Sequence, residues 1–330
     1  VTDEQFLVTG GTGCIGSWVI RDLVREGVGV TVLTSRRRLD RLALLLTPAE
    51  LAALDLVVGD INDLAALEAT GRSRGITSII HLAGMQFPLC AADPVNGARV
   101  NVQGTATVFE LVRRLELGRL VYASSAAVYG PKTRYPGTVV GAGAELYPTS
   151  FYGVYKAANE QAARVAWETQ GVASIGLRPH SVYGPGRDQG VTSKPTVAMI
   201  AAAADRGYHI NFGGAYQFQF ADDAARAFLV AARTPLDGAS VFSLPGPAFG
   251  VDEMIAAIEV AAPAARGRIT FEDRVLPFPG AFDGAPFEAA MGGRPLTPLE
   301  DGVRETIDTY RRAIRDGRLD EAWLERVLTA

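Results

Sequence analysis

Tyr152 and Lys156 are spaced Y-x-x-x-K, and Ser124-Ser125 stand upstream of them. On a helix this spacing puts the lysine one turn from the tyrosine, on the same face. A free tyrosine has a pKa near ~10 and is a poor base at neutral pH. A neighbouring ammonium favours the tyrosinate, which can take a proton from a substrate hydroxyl. In the reverse direction the phenol returns that proton to an alkoxide. Ser125 can hydrogen-bond the same oxygen and hold it in line. Alone the pattern is weak, because Y-x-x-x-K also arises as a surface pair on an amphipathic helix.

A second segment, about 140 residues earlier, supplies what this proton chemistry needs. The apolar run Phe6-Leu7-Val8 opens into T-G-G-T-G-C-I-G, residues 9–16. A strand that ends in glycines and runs straight into a helix sets backbone N–H groups and a helix N-terminus against a pyrophosphate. Gly10 allows the tight turn. Gly13 removes the side chain where phosphate approaches, and Gly16 lets the helix pack close to the strand. Cys14 and Ile15, between the last two glycines, complete the candidate cradle. The residues that follow, 15–25, carry apolar side chains at helical spacing and end near Gly27. The glycine spacing is G-x-x-G-x-x-G rather than the commoner G-x-G-x-x-G. Together the two segments point to hydride transfer, with a nicotinamide taking hydride from the carbon whose hydroxyl Tyr152 deprotonates.

The elements that hold these residues alternate. Strands are expected at 28–34, 54–58, 78–82, 119–123 and 173–177, after the first at the glycine loop. Helices are expected at 47–54, with Thr47 as cap and Pro48 at its first position, at 62–69 with Asn62 as cap, at 101–115 and at 150–170. This alternation predicts an α/β fold, a Rossmann-type doubly wound parallel sheet over residues 1–178. After 178 the pattern weakens into R-P-H-S-V-Y-G-P-G-R-D. Helices near 194–206, 222–233, 251–261 and 299–315, with short strands at 209–212 and 240–244, read as a smaller C-terminal α/β substrate lobe, residues 179–330. The boundary is soft, since short connections can cross back.

Composition narrows the function classes. The chain has 330 residues, 48% of them hydrophobic, without an apolar stretch of membrane-spanning length. The formal net charge of −4 does not favour nucleic acid. No signal-peptide pattern opens the sequence, and a cytoplasmic location is expected. Cys14 and Cys90 are too few for a disulfide framework or a zinc set, and His81, His180 and His209 lack metal-ligand spacing. No metal is expected.

Seven motifs in order resemble a known family: T-G-G-T-G-C-I-G, Gly59-Asp60, I-I-H-L-A-G at 79–84, N-V-Q-G-T at 101–105, S-S-A-A-V-Y-G at 124–130, Y-G-V-Y-K at 152–156 and L-R-P-H-S-V-Y-G-P-G at 177–186. The chain is similar to extended short-chain dehydrogenases/reductases of the NAD-dependent epimerase/dehydratase group. The resemblance implies Ser125, Tyr152 and Lys156 as catalytic residues. It implies Asp60 near the adenine, with Ile61 beside it, and Leu82, Ala83 and Gly84 near the cofactor ribose and phosphates. Asn101, Pro179 and His180 join the cofactor set, the last two near the nicotinamide amide. Met85, Gln86, Ser125, Ala126 and Ser181 form the expected substrate side. A homodimer joined through the helices 101–115 and 150–170 is implied, with Val108, Leu111, Val112, Ala162, Val165 and Ala166 as apolar residues beyond the needs of one sheet face.

Departures from the family pattern guide the choice of activity. NAD-preferring members carry Asp at the end of the second strand; here Thr34, Ser35 and Arg36 stand there. Small hydroxyls and an arginine suit a 2′-phosphate, so NADP is the expected cofactor, with NAD as the alternative. Dehydratase members carry Asp-Glu after the catalytic hydroxyl; Ala126-Ala127 replace it, which disfavours dehydration. In nucleotide-sugar members an Asn stands at Ser181 and an arginine at Tyr216. Arg187 and Lys194 are the alternatives for the missing cation, or surface charges. The expectation is therefore an NAD(P)-dependent oxidoreductase acting on a secondary alcohol or ketone of a small sugar-like or carbonyl substrate. The alternative is a sugar epimerase, a nucleotide-sugar one included, that retains its cofactor.

Overall fold

The computed structural model describes residues 3–329. Seven short runs become strands: β1 (Gln5–Thr9), β2 (Gly29–Thr34), β3 (Asp55–Val58), β4 (Ser78–His81), β5 (Leu120–Ala123), β6 (Ser174–Arg178) and β7 (Ala239–Ser243). They pair side by side, all parallel, in the order β3-β2-β1-β4-β5-β6-β7. Parallel strands need crossovers, and helices supply them on both faces. Side chains alternate between the faces along each strand. Phe6, Val8, Val32, Ile80, Val121 and Ile175 enter one core, packed by the helices Cys14–Arg25 and Ala221–Arg233. Leu7, Leu33, Ile79, Leu120 and Tyr122 enter the other, packed by Leu64–Ser73, Gly104–Arg114 and Phe151–Gln170. Strand order reverses between β1 and β4. The crevice at the carboxyl ends of such strands is where sheets of this kind take ligands.

The second half of the chain builds a smaller layer against that crevice. Ala215–Phe220 pairs parallel with Ser181–Tyr183 and antiparallel with Ala248–Gly250. Tyr208–Ile210 pairs with Ile269–Phe271, and Val139–Val140 with Ala281–Phe282. The helices Lys194–Ala203, Val251–Ala261 and Leu299–Arg315 pack around these strands. The two halves interleave. The run expected as a strand of the second lobe at 240–244 is β7, the edge of the large sheet. The helix Ala221–Arg233 also returns to that sheet, lies beside Cys14–Arg25, and is tied to it by the ion pair Arg21–Asp222. Among the described residues no helix is long and apolar enough to cross a membrane.

Local signals explain most element ends. Thr47 forms the expected capping box: its hydroxyl accepts from the Glu50 N–H at 3.2 Å, and the Glu50 carboxylate accepts from the Thr47 N–H at 2.7 Å. Asn62 is not a cap. It folds back on Asp60, whose Oδ1 accepts from both its nitrogens at 3.0 Å. Asp63 caps the helix instead, which runs on to Ser73. The helix expected to open at Asn101 is continuous with Pro94–Ala98, through a π-helical turn at Arg99–Gln103. Asp40–Leu45 and Phe87–Ala92 are further short helices. Of the apolar residues that looked surplus, Val108, Leu111, Val112 and Ala166 are consumed by the core. Ala162 and Val165 stay exposed, as do Phe151, Val154 and Trp167.

Candidate active site

The glycine loop joins β1 to the helix Cys14–Arg25. Gly10 has φ +70°, and a Cβ there would lie 2.5 Å from the Ala83 nitrogen at the end of β4. A Cβ on Gly16 would lie 2.3 Å from the Gly10 carbonyl oxygen. Only glycine lets the turn and helix nest this closely. Gly13 is the N-cap, and no side chain caps this helix. The first-turn N–H groups of Cys14, Ile15 and Gly16 therefore remain for a ligand, at the positive end of the helix dipole. Burial pushes the Cys14 thiol up to about 11, so no thiolate opposes a phosphate. These residues fit a dinucleotide pyrophosphate.

The other cofactor candidates line the same edge of the sheet. Thr34 ends β2, with its hydroxyl donating to the Arg36 carbonyl at 2.8 Å. This turn leaves Ser35, Arg36 and Arg37 exposed. Among the described residues neither arginine side chain makes an ion pair or hydrogen bond. Hydrogen bonds from Arg99 and Asn62 pull the Asp60 carboxyl down to about 2, and Asp60 is ionised and exposed. Ile61 is buried against Gly104. Leu82, Ala83 and Gly84 follow β4 into the crevice, with the Ala83 N–H donating to the Thr9 hydroxyl at 3.3 Å. Asn101 is fully buried on the π-helical turn. Its amide nitrogen donates to the carbonyls of Gly97 at 3.0 Å and Met85 at 3.3 Å, so it braces the floor beneath Gly84.

The proton-transfer group sits two strands away. Ser125 follows β5 and caps the turn Ala126–Val128, accepting from the Ala127 N–H at 3.1 Å. Ser150 caps the helix Phe151–Gln170 and so sets Tyr152 in its first turn. The Ser125 hydroxyl faces the Tyr152 phenol and favours its ionised form against burial. Lys156 lies one turn on, its Nζ 5.7 Å from the Tyr152 ring centre. It donates to the Ala123 carbonyl at 2.7 Å. The electrostatics differ from the sequence expectation. Burial raises the Tyr152 pKa, and the opposing effects come from Ser125 and the Arg187 cation, not from Lys156. Burial also lowers Lys156 to about 8, while the negative charge of Glu160 works to keep it protonated.

Two buried networks under the site were not foreseen. Glu160 shares the helix face of Tyr152 and Lys156, a further four residues on, and that spacing was the available signal. Its carboxylate takes two hydrogen bonds from Arg178, at 2.8 and 2.6 Å, and one from Ser124. Arg178 in turn donates to the Tyr129 hydroxyl at 2.6 Å. Ser124 is therefore part of the scaffold, while Ser125 faces the tyrosine. Beneath β1 and β4, the His81 ring bridges the hydroxyls of Thr9 at 2.7 Å and Thr105 at 3.0 Å. Burial, aided by the Lys156 charge, lowers His81 to about 3.

The substrate side is aromatic. Pro179 accepts from the Ala126 N–H at 3.0 Å and fixes that turn. His180 packs between Phe278 and Phe282, with ring centres 5.7 and 5.0 Å away. Burial lowers it to about 4, and its Nδ1 lies 3.1 Å from the Gln217 carbonyl. Ser181 is fully buried in its strand. Tyr216 is buried, donates to the Gly213 carbonyl at 2.9 Å and accepts from the Leu276 N–H at 2.7 Å. Met85 and Gln86 lead into the helix Phe87–Ala92 at the other wall. Among the described residues no group of three or more His, Cys, Asp or Glu side chains is placed to hold a metal ion.

A family model, described as the NAD dependent epimerase/dehydratase family, matches residues 6–244. The chain belongs to this family. A UDP-glucose 4-epimerase of Azospirillum brasilense is 32% identical over 184 residues, 54% of this chain and 49% of that protein. The chain spans about half the length of the curated relatives it matches. A UDP-glucose 4-epimerase structure with UDP-glucose, from Thermotoga maritima, has a TM-score of 0.81 at 20% identity, covering 94% of this chain and 99% of that one. An L-threonine dehydrogenase from Clostridium difficile has a TM-score of 0.80 at 18% identity, covering 94% and 98%. Both likenesses are likenesses of fold.

Proposed function

We propose that the protein is an NAD(P)-dependent oxidoreductase that moves hydride between the nicotinamide and a secondary alcohol or ketone of a small sugar-like or carbonyl substrate. The placement of Ser125 beside Tyr152, at the same sheet edge as the glycine cradle, carries this reading. The nicotinamide, when bound, accepts or returns the hydride. Tyr152 takes the hydroxyl proton in oxidation and returns it in reduction. Ser125 holds the reacting oxygen. The Arg187 charge favours the tyrosinate as it forms, and Lys156, mostly protonated at neutral pH, stands one turn away as a second cation.

The second reading is a sugar epimerase with retained cofactor, favoured by the names of the relatives. Against a nucleotide diphosphate stands the aromatic group of Tyr216, Phe278 and Phe282, which offers no cation. Incubation of the enzyme with alcohols, sugars and sugar acids and each oxidised dinucleotide separates the two. An oxidoreductase raises the absorbance of reduced nicotinamide in step with product; an epimerase interconverts sugars without that change.

Three finer expectations accompany the proposal. NADP is preferred over NAD, supported by the exposed and unpaired Arg36 and Arg37 beside Thr34 and Ser35. The protein is a homodimer, supported by exposed Phe151, Val154, Val165 and Trp167 on one long helix. A four-helix interface would bury such residues. It acts in the cytoplasm, supported by two free cysteines and no described membrane-spanning helix.

A further inference from the structure

Arg187 lies in the loop between the strand Ser181–Tyr183 and the helix Lys194–Ala203, at the wall facing Tyr152. Its side chain is half-buried, and its Nε is sealed from solvent without a hydrogen-bond partner. Among the described residues the one side-chain bond it makes is long, 3.4 Å, to the Thr192 hydroxyl. Among the described residues no carboxylate pairs with it. Its neighbour Asp188 is turned away to Arg41 at 2.5 Å. A guanidinium nitrogen sealed from water and left unmet is costly, and a ligand that completes it is one explanation for such a group.

Gly190 keeps a side chain off the guanidinium. Gly190 has φ +108°, and a Cβ there would lie 2.9 Å from Arg187 Nη2 and 3.3 Å from Gln86 Oε1. A side chain at this position would meet the guanidinium, so glycine leaves that side of it uncovered, and Gln86 borders the same point. Arg187 is also close enough to lower the Tyr152 pKa by its charge. It reaches toward Cys14 as well, so an anion of the cofactor is a second source of the same chemistry. The guanidinium bonds Thr192 and lies beside Gly190, both in its own loop, and its charge also reaches Cys14.

The geometry points to Arg187 as a specificity residue that binds a carboxylate of the substrate, making hydroxy acids and their keto forms the substrate class. This rests on the proposed oxidoreductase reading of Tyr152. A planar fork of donors matches a carboxylate in two parallel hydrogen bonds. Bound there, the acid presents its hydroxyl to Ser125 and Tyr152.

The test is a binding experiment that needs no turnover. The complex with reduced dinucleotide is titrated with glycerate, threonate and gluconate, and with glycerol, threitol and glucitol. Nicotinamide fluorescence reports formation of the non-productive ternary complex. At least one acid should bind about 10- to 100-fold more tightly than its alcohol. Arg187→Met should abolish that ratio and leave dinucleotide affinity unchanged, while Arg187→Lys should keep part of it. The Met variant should also move the pH profile of any oxidation to higher pH, since a cation near the tyrosinate is gone. A panel in which no acid binds better than its alcohol overturns the proposal. So does an Arg187→Met variant that loses dinucleotide affinity instead, which would assign the guanidinium to the pyrophosphate. Full turnover by Tyr152→Phe would refute the acid/base reading, and the acid-to-alcohol ratio would still decide Arg187.

Discussion

Removing Glu160 should weaken the fold and shift the chemistry together. Glu160 and Arg178 are both almost wholly buried, and the carboxylate satisfies two donors of the guanidinium. In Glu160→Ala the cation stays buried, with Tyr129 as its remaining side-chain partner. Breaking such a pair from one side costs about 3–5 kcal/mol. At about 2.1 cal/mol/K per residue, unfolding this chain carries an entropy of about 0.7 kcal/mol/K. The melting temperature should therefore fall by about 4–7 °C. Glu160→Gln keeps the shape and one acceptor and should fall by less. The double variant Glu160→Gln/Arg178→Met should cost less than the sum of the singles, because no charge is left unpaired. A second effect follows from Lys156. Burial brings it to about 8, and the Glu160 charge opposes that fall. Without Glu160, Lys156 should lose its proton at lower pH, and the alkaline limb of the pH–rate profile should move down in Glu160→Gln. Calorimetry and a pH–rate series measure the two effects. A Glu160→Ala protein that melts within about 1 °C of wild type would refute the energetic argument.

Tyr152→Phe should lose roughly 100- to 10,000-fold in turnover while dinucleotide affinity stays within about twofold; near-normal turnover would remove the site assignment. Gly16→Val should abolish dinucleotide binding in fluorescence titrations, because its Cβ meets the Gly10 carbonyl oxygen at 2.3 Å and displaces the helix N-terminus; wild-type affinity would show that the pyrophosphate sits elsewhere. Acid should destabilise the fold through His81. Its folded pKa of about 3 lies below the unfolded value of 6.5, so only the unfolded chain takes the proton in between. That contribution is whole above 6.5 and is lost as pH falls towards about 3, with a slope of up to about 1.4 kcal/mol per pH unit. Urea midpoints between pH 7 and 4 should fall more steeply for wild type than for His81→Asn, and equal slopes would sink the account.

Signals carried within one element were legible in the sequence. The glycine loop, the Thr47 cap and the Tyr152–Lys156 spacing all act over a turn or two of chain. Pairings made across the fold were hidden. Nothing in residues 240–244 says that they join β6 at the edge of the large sheet. Arg178 and Glu160 lie in separate elements, and neither side chain announces the other. Asn62 and Asp63 are both good caps, and only the pull of Asp60 on Asn62 decides between them. The apolar residues of Gly104–Arg114 looked like an interface because the thickness of core they fill cannot be read from one helix. Tyr152 showed the same limit in its electrostatics: burial and Arg187, both set by remote segments, outweigh the lysine one turn away.

The return of the chain to the large sheet at Ala221–Arg233 and β7 constrains how the molecule is assembled on the ribosome. A nascent chain that ends after β6 has the glycine loop, Ser125, Tyr152 and Lys156, yet lacks the helix that lies beside Cys14–Arg25 and the strand that closes the sheet edge. Its apolar face and its β6 edge would stay open until β7 has emerged. Most of the substrate wall, Arg187 and Tyr216 included, is synthesised inside that interval. The cofactor half is thus sealed only after much of the substrate half has been made. No single cut of the chain separates the two halves.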